Sequence, residues 1–257
     1  MLRGRCGKWL MALCGAALAC GALAAPVTVL RVAAQEGTEP KFMAGPQGSV
    51  VGLCIDIMHA IERIDPGLRF EGHQHWMPLV RVYHEASIGQ QDAVCAMQHL
   101  EEREPQFRFI EPPLFSINYL LMARADDTAI INNWDDLRKL GPQAVVLVNR
   151  GFASNHILEQ LGGIQIDASA ASTAMNLQKL MAGRGRFFLH RTPGLHGLLD
   201  RGGALGKVRI LPTVMLKAPL YMVLSRQVDP AVAERLRAAL EQMTHSGELD
   251  QLLKKWD

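Results

Sequence analysis

Residues Asp92 to Phe115 read DAVCAMQHLEEREPQFRFIEPPLF, and this stretch joins a short apolar run to a polar, charged turn. The run Asp92–Met97 follows a Gly-Gln-Gln turn, which predicts a buried strand. Gln98–Arg103 then forms a polar exit, and aromatic residues follow it. Arginine offers a fixed fork of donors that matches a carboxylate or phosphate, so this strand end predicts an anion pocket.

Arg103 is the candidate for the anion contact, and Gln98 lies at the strand end before it. The alternative is that Arg103 pairs on the surface with one of its acidic neighbours, Glu101, Glu102 or Glu104. Spacing alone leaves both interpretations open.

On either side of this stretch, predicted strands and helices alternate. Val27–Ala34 predicts a first strand, and Leu53–Ile64 predicts a helix with one apolar face. Ala144–Val148 predicts another buried strand, and Pro230–Met243 an amphipathic helix near the end. The alternation favours an α/β fold with mainly parallel sheets.

Residues 1–24 are interpreted as a secretory signal peptide. Arg3, Arg5 and Lys8 give a basic start, Trp9–Leu23 is apolar, and Ala22-Leu23-Ala24 fits a small-x-small cleavage site. This pattern predicts export to the periplasm. The alternative is a lipoprotein attached at Cys20, which Leu18-Ala19 precedes.

The charge of the exported chain argues against a nucleic-acid partner. Without the three basic residues of the signal, 24 Lys and Arg oppose 25 Asp and Glu, so the net charge is −1. Nor does a basic stripe with interleaved aromatics occur. The hydrophobic content of 49% and the charged content of 20% are those of an ordinary globular protein.

Two of the five cysteines, Cys54 and Cys95, lie outside the predicted signal. An oxidising compartment favours one disulfide between them. The alternative is two buried free thiols that pack as small hydrophobic groups, since the sequence does not place their Cβ atoms.

Motifs of catalysis are missing from the sequence. It has no G-x-S-x-G elbow, no H-E-x-x-H, no P-loop and no G-x-G-x-x-G after a strand. His73 and His75 lack the further ligands that a metal needs. We therefore expect no enzyme activity, no cofactor and no metal site.

The order of several short motifs, from about Leu30 to Asp257, resembles the bacterial periplasmic solute-binding proteins of family 3. These are the polar-amino-acid receptors of ABC importers. The motifs are Gly52-Leu53-Cys54-Ile55-Asp56, Trp76 with Gly89 and Asp92, Glu101-Glu102-Arg103 with Phe109, Asp136-Leu137, Gly151, Pro230–Leu240 and Lys255-Trp256.

The resemblance implies a two-lobed periplasmic-binding-protein fold of type II, with ligand bound between the lobes. Residues 25–121 plus 221–257 would form lobe 1, and residues 122–220 would form lobe 2. Two crossover strands would act as hinges, at Tyr119–Arg124 and Val214–Leu220.

Carried over by position, the resemblance also implies a ligand site. Arg103 would hold a ligand carboxylate, and Gln98 occupies a position where the family often has a Ser or Thr contact. Apolar walls and backbone N–H donors would complete the site. The walls would be Phe42 and Trp76, and the N–H donors Phe152, Ala153 and Ser154.

One departure from the family pattern concerns ligand charge. The family usually has an aspartate for the ligand ammonium after a G-R-x-D-A strand, whereas this chain runs through Gly183-Arg184-Gly185-Arg186 to Arg191. An arginine there would repel an ammonium and attract a second anionic group. The hypothesis is a dianion or another acidic metabolite. The alternative is that Arg191 points to solvent.

The sequence thus predicts a periplasmic solute-binding protein, expected to be a monomer, that captures a small anionic metabolite for the permease of an ABC importer. One alternative is a divergent sensor or partner-binding module not tied to transport. Another is an enzyme on the same fold, which no nucleophile–base pair supports.

Overall fold

The structure, a computed structural model, describes residues 1 and 27–256. The predicted signal peptide and the alternative at Cys20 lie outside the range 27–256. Within this range the chain forms eight α-helices and twelve strands. The helices are α1 (Leu53–Ile64), α2 (Leu79–Ser87), α3 (Trp134–Lys139), α4 (Ala153–Leu161), α5 (Thr173–Met181), α6 (Leu195–Arg201), α7 (Pro230–His245) and α8 (Glu248–Trp256). The strands are β1 (Thr28–Arg31), β2 (Ala34–Gln35), β3 (Met43–Ala44), β4 (Val50–Val51), β5 (Leu68–Glu71), β6 (Trp76–Met77), β7 (Ala93–Gln98), β8 (Phe107–Arg124), β9 (Val146–Leu147), β10 (Ile166–Asp167), β11 (Phe187–Arg191) and β12 (Val208–Ser225).

Two strands of 18 residues each, β8 and β12, run antiparallel to each other through both predicted lobes. They occupy the centre of a six-stranded sheet of order β10-β9-β11-β8-β12-β7. At one end β7 pairs with β12, and at the other end β11 pairs with β8. These long strands are the two crossovers that the family resemblance implies. We keep the names lobe 1 for residues 25–121 plus 221–257 and lobe 2 for residues 122–220.

The α/β class is confirmed, and the central sheet is mixed. The pairs β9–β10 and β9–β11 of this sheet are parallel, as are the separate two-stranded sheets β1–β5 and β2–β6, as expected for strands joined through helices. The pairs that β8 and β12 make with each other and with β7 and β11 are antiparallel. A chain that leaves a lobe and returns to it runs in opposite directions on the two crossings. None of the helices in residues 27–256 combines the length and the apolar character needed to cross a bilayer.

Helix α1 begins on the loop that carries Lys41. The backbone N–H groups of Leu53 and Cys54 donate to the carbonyl oxygens of Pro40 and Lys41, at 3.0 Å each. Gly52 precedes the helix with a φ of 137°, and a Cβ there would lie 2.4 Å from the Lys41 oxygen. Only glycine allows this approach, so the start of α1 fixes the position of the Lys41 backbone.

A disulfide joins Cys54 in α1 to Cys95 in β7, with their Cα atoms 6.0 Å apart. Both residues belong to the buried core of lobe 1. Of the two alternatives that the sequence leaves open, the structure therefore adopts the bonded pair. The bond ties the helix that supports Lys41 to β7, the last strand in the order of the six-stranded sheet.

The first strand is interrupted relative to the prediction. Val27–Ala34 was predicted as one strand, but the strand pairing stops between β1 and β2. The segment that pairs with it is interrupted at the same place, between β5 and β6. Gly72 lies in that break with a φ of 90°, and a Cβ there would lie 2.5 Å from the Val32 oxygen. The turn at Gly72 is a tertiary feature that the apolar pattern of the first strand does not contain.

Asp167 at the end of β10 contributes to the stability of lobe 2. Its carboxylate accepts hydrogen bonds from Lys179 and from the Ser169 backbone N–H, the latter at 2.9 Å. The Lys179 ammonium and then the Ser169 hydroxyl lower the pKa of this carboxyl to about 2. Because the folded-state pKa lies below the unfolded value of about 4, the stabilisation is complete above pH 4 and is lost as the pH falls through 2.

We expect Asp167→Asn to lower the free energy of unfolding by about 1–2 kcal/mol at pH 7. The difference from wild type should shrink between pH 4 and pH 2, where the wild-type carboxyl takes up its proton. Urea unfolding at steps of pH measures this. Asp200→Asn, at an exposed position, is the control. A difference that is equal at pH 7 and pH 2 would contradict the prediction.

Candidate functional site

A cavity lies where the two lobes meet the crossover strands. Its volume is about 20 Å³, roughly the space of a single water molecule. Both lobes and both crossover strands contribute side chains. The lining residues are Lys41, Leu79, Tyr83, Ala96, Gln98, Ile117, Tyr119, Phe152, Ala153, Arg191 and Leu220.

The small volume reflects lobes that are closed against each other. His156 in α4 of lobe 2 lies 2.9 Å from the carboxylate of Glu102 in lobe 1. Gly151, with a φ of 78°, approaches α2 so closely that a Cβ there would lie 2.4 Å from Cγ2 of Val80. A metabolite larger than water therefore requires the lobes to separate before it enters.

Arg191, at the end of β11, is buried beside the cavity with 7% of its surface exposed. Its Cζ lies 4.7 Å from the ring centre of Phe152, and Nη2 lies 3.5 Å from the Thr38 carbonyl oxygen of lobe 1. Burial lowers the pKa of the guanidinium from its ordinary value, and two cavity tyrosines and Glu39 oppose that shift. The side chain thus points into the interlobe seam and not to solvent.

Lys41 is a second buried cation, which the sequence interpretation missed. Only 4% of its surface is exposed, and its Nζ donates to Gln35 Oε1 at 2.5 Å and to the Ala96 carbonyl at 3.0 Å. Burial, followed by repulsion from Arg191 and Arg103, lowers the pKa of this ammonium well below its ordinary value. Two cations thus face the cavity, one from each lobe.

Arg103 stands at the edge of the cavity, behind Tyr83. Its Nη1 donates to the Gln98 carbonyl at 3.0 Å, and its Cζ lies 4.9 Å from the Tyr83 ring centre. The surface pairing with an adjacent glutamate is not formed, because Glu102 and Glu104 lie against histidines instead. The guanidinium is only partly buried and is not among the lining groups.

Gln98 and Tyr119 supply neutral hydrogen-bonding groups. The Tyr119 hydroxyl donates to Gln98 Oε1 at 2.9 Å, which directs the amide nitrogen of Gln98 elsewhere as a donor. Burial raises the pKa of Tyr119 to about 12, so its phenol keeps its proton at neutral pH. Burial and then Arg191 lower the pKa of the adjacent His190 to about 3, so this imidazole adds no charge.

The strand β7 is distorted where it meets the cavity. Ala96 has a φ of 58°, and the pairing with β12 shifts between Met97 and Val94. Such a bulge turns successive carbonyl groups away from the ladder. Here the Cys95 oxygen accepts from Gln35 at 2.8 Å, and the Ala96 oxygen accepts from Lys41. The bulge therefore supplies the Ala96 carbonyl group that holds the Lys41 ammonium.

The structure brings together some predicted site residues and not others. Gln98, Phe152, Ala153 and Arg191 line the cavity, and Arg103 contacts it through Tyr83. Three others do not line it: Phe42 is 1% exposed in the core of lobe 1, Trp76 is 39% exposed on β6, and Ser154 is buried in α4.

The exchange between Phe42 and Lys41 has a simple physical reason. The chain bends at Lys41 and Phe42, and the bend places Phe42 in the core of lobe 1 and Lys41 at the cavity. Leu79 and Tyr83 on α2 supply the apolar and aromatic surface that was predicted for Phe42 and Trp76. The lysine beside a buried aromatic was the available signal, although residue type alone did not indicate which of the two faces the core.

Three cationic side chains gather at this cavity. Lys41 and Arg191 line the cavity, Arg103 lies behind it, and none of the three pairs with a carboxylate within the described part of the chain. The lining residues include no Asp or Glu. Buried charges are costly unless they are paired, so this arrangement favours a ligand that brings negative charge.

A protein-family model matches most of this chain. The model of the bacterial extracellular solute-binding proteins, family 3, matches residues 30–257 of this chain. No curated protein matches this chain.

Solved structures share the fold at low sequence identity. An ancestral arginine-binding protein bound to arginine is 22% identical with a TM-score of 0.73, and the match covers 89% of this chain and 97% of that one. A putative L-cystine ABC transporter from Listeria monocytogenes is 19% identical with a TM-score of 0.73, covering 90% and 96%. A histidine kinase sensor domain similar to periplasmic binding proteins is 17% identical with a TM-score of 0.76, covering 90% and 96%.

Proposed function

This chain belongs to family 3 of the bacterial extracellular solute-binding proteins, and from that premise we propose that it captures a small anionic metabolite between its lobes. It acts in the periplasm as a monomer and delivers the ligand to the permease of an ABC importer. The similarity to an L-cystine ABC transporter supports the link to import.

The observation that carries the choice of an anion is the pair of buried cations on opposite sides of the cavity. Arg191 comes from lobe 2 and Lys41 from lobe 1, and within residues 27–256 neither side chain has a carboxylate partner. The arginine bound by the similar ancestral protein would place further positive charge beside these groups. Like charges in a desolvated site cost several kcal/mol, so a plain basic amino acid is a poor fit.

Capture of the ligand depends on bending at the hinge between the lobes. β8 and β12 connect the lobes, and the register between them shifts between Val214 and Leu216 and again between Leu220 and Met222. Bending at these irregular points opens the cleft. A ligand that contacts Lys41 in lobe 1 and Arg191 in lobe 2 favours a form in which the lobes close around it, with a cleft wider than the ligand-free cavity. It makes both contacts only when the lobes lie close together.

The proposal predicts a selective thermal shift. Succinate, glutarate and 2-oxoglutarate are the acidic probes, with glutamine and arginine as the neutral and basic probes. A bound acid present at 100 times its Kd should stabilise the protein by about 2.7 kcal/mol, which raises Tm by roughly 5–10 °C. Calorimetry then measures the affinity. Tight binding of glutamine or arginine, or binding of none of the five probes, would contradict the anionic ligand.

Closure itself is tested by small-angle scattering. The radius of gyration should fall when a binding acid is added and should stay unchanged with a probe that does not bind. A constant radius with a ligand that calorimetry shows to bind would contradict the hinge.

A sensor role is the second candidate, and the similarity to a histidine kinase sensor domain favours it. The ligand site would be the same, while the partner would be a signalling protein. A permease gene and an ATPase gene beside this gene would favour import, whereas a kinase or cyclase gene would favour sensing. Catalysis is less well supported, since the cavity lining includes no Ser, Cys, His, Asp or Glu.

A further inference from the structure

Lys41 is held both at its backbone and at the nitrogen of its side chain. Its backbone carbonyl accepts from Cys54 at the start of α1, and its Nζ donates to Gln35 and to the carbonyl of Ala96. The disulfide joins Cys54 to Cys95, the residue before Ala96. One covalent bond thus connects the two supports of Lys41, so the ammonium is held in place before any ligand arrives.

This ammonium keeps one donor for a ligand. A protonated lysine has three N–H donors, and two of them point to Gln35 and Ala96. The side chain lines the cavity, and no carboxylate within the described residues competes for the remaining donor. Both groups that hold Nζ are neutral, so they position the charge without cancelling it.

From this geometry we propose that Lys41 is a specificity-determining residue that receives an acidic group of the ligand, so that the cavity selects small dianions over monoanions. The inference rests on the proposed function and narrows its ligand to compounds with two acidic groups, such as short aliphatic dicarboxylates. Arg191, which lines the cavity, can receive one carboxylate. A single negative charge would leave Lys41 facing two other cations in a closed, desolvated cleft.

Proton linkage gives a readout that a merely structural lysine lacks. Arg191, Arg103 and burial lower the pKa of Lys41 in the closed cleft, and a bound dianion opposes these effects. At pH values near and above the Lys41 pKa, where part of the ligand-free protein carries a neutral amine, binding of a dianion should therefore take up protons. Affinity should fall as the pH rises through that pKa. The other titratable groups that face this ammonium, Tyr83 and Tyr119, stay protonated because burial raises their pKa values.

The test compares wild type, Lys41→Met and Lys207→Met, the last at an exposed lysine outside the hinge and the cavity. Isothermal calorimetry with glutarate and butyrate in buffers of different ionisation enthalpy reports affinity and proton uptake together. Lys41→Met should weaken glutarate binding by roughly 10- to 100-fold, as expected for a lost charge-assisted hydrogen bond, and abolish the proton uptake. Butyrate binding should change little in any variant, and Lys207→Met should behave as wild type.

The outcomes separate this inference from the proposed function. If wild type binds glutarate and Lys41→Met binds it within twofold, the role of Lys41 is refuted while the anion receptor stands. If wild type binds neither glutarate nor butyrate, the proposed function fails and the inference fails with it. If Lys41→Met does not fold, wild type decides: glutarate affinity that does not fall, and proton uptake that does not appear, as the pH is raised to 10 refutes the inference.

Discussion

Arg191→Met is expected to weaken binding of an acidic ligand by about 100-fold or more. Loss of one partner from a desolvated charge pair costs roughly 2–5 kcal/mol, and every 1.4 kcal/mol is a factor of ten. Arg191 is buried and lies across the seam from lobe 1, so water replaces its contact poorly. Arg191→Lys retains the charge and should recover part of the affinity.

The same substitution should leave the ligand-free protein as stable as wild type or more stable. The guanidinium is buried without a carboxylate partner among the described residues, and apolar side chains of similar volume often replace such charges at no cost. Affinity and stability then move in opposite directions. An arginine with a purely structural role would lower both.

Calorimetry with glutarate and urea unfolding without ligand measure the two effects of Arg191→Met. Arg184→Met, at an exposed position in the same lobe, is the control and should change neither. Unaltered glutarate affinity in Arg191→Met would exclude this residue from the site.

The second large effect is expected from the double substitution Cys54→Ala and Cys95→Ala. The disulfide closes a loop with a sequence separation of 41, and in the chain-entropy model its removal lowers the free energy of unfolding by about 4 kcal/mol. Because both cysteines lie in the core of lobe 1, the loss should be concentrated in that lobe.

Urea unfolding of the oxidised protein, the reduced protein and the double variant measures this stabilisation. Reduced wild type and the double variant should have similar midpoints, both below that of the oxidised protein. The double substitution should also free the supports of Lys41 and weaken glutarate binding. Equal midpoints for all three samples would show that the bond does not form or does not stabilise.

Periodic elements were predictable because their patterns repeat. Leu53–Ile64 was predicted as a helix from its apolar face, and α1 has these bounds. The crossover strands followed from the family resemblance, although the sequence suggested only the segment Tyr119–Arg124 of the longer β8. Pro112 and Pro113 lie inside β8, which continues through them because β12 pairs on both sides.

The lining of the cavity was less predictable because it depends on contacts between segments that are distant in sequence. Lys41 faces the cleft only because the bulge at Ala96 presents a carbonyl to it, and no local pattern announces a left-handed alanine in a strand. Arg191 was found through its departure from the family pattern. Phe42 and Trp76 were misplaced because the aromatic type indicates burial or contact without saying which.

The chain enters lobe 2 along β8 and leaves it along β12, so lobe 2 is one continuous segment of the sequence. Arg124 and Val208 are paired neighbours in the sheet, so the excursion between them begins and ends about 5 Å apart. Such a segment can be grafted between relatives with two adjacent junctions. A chimera that kept Lys41 and received a foreign lobe 2 would retain one cavity cation and exchange the other, so the two sides of the cavity can be varied separately.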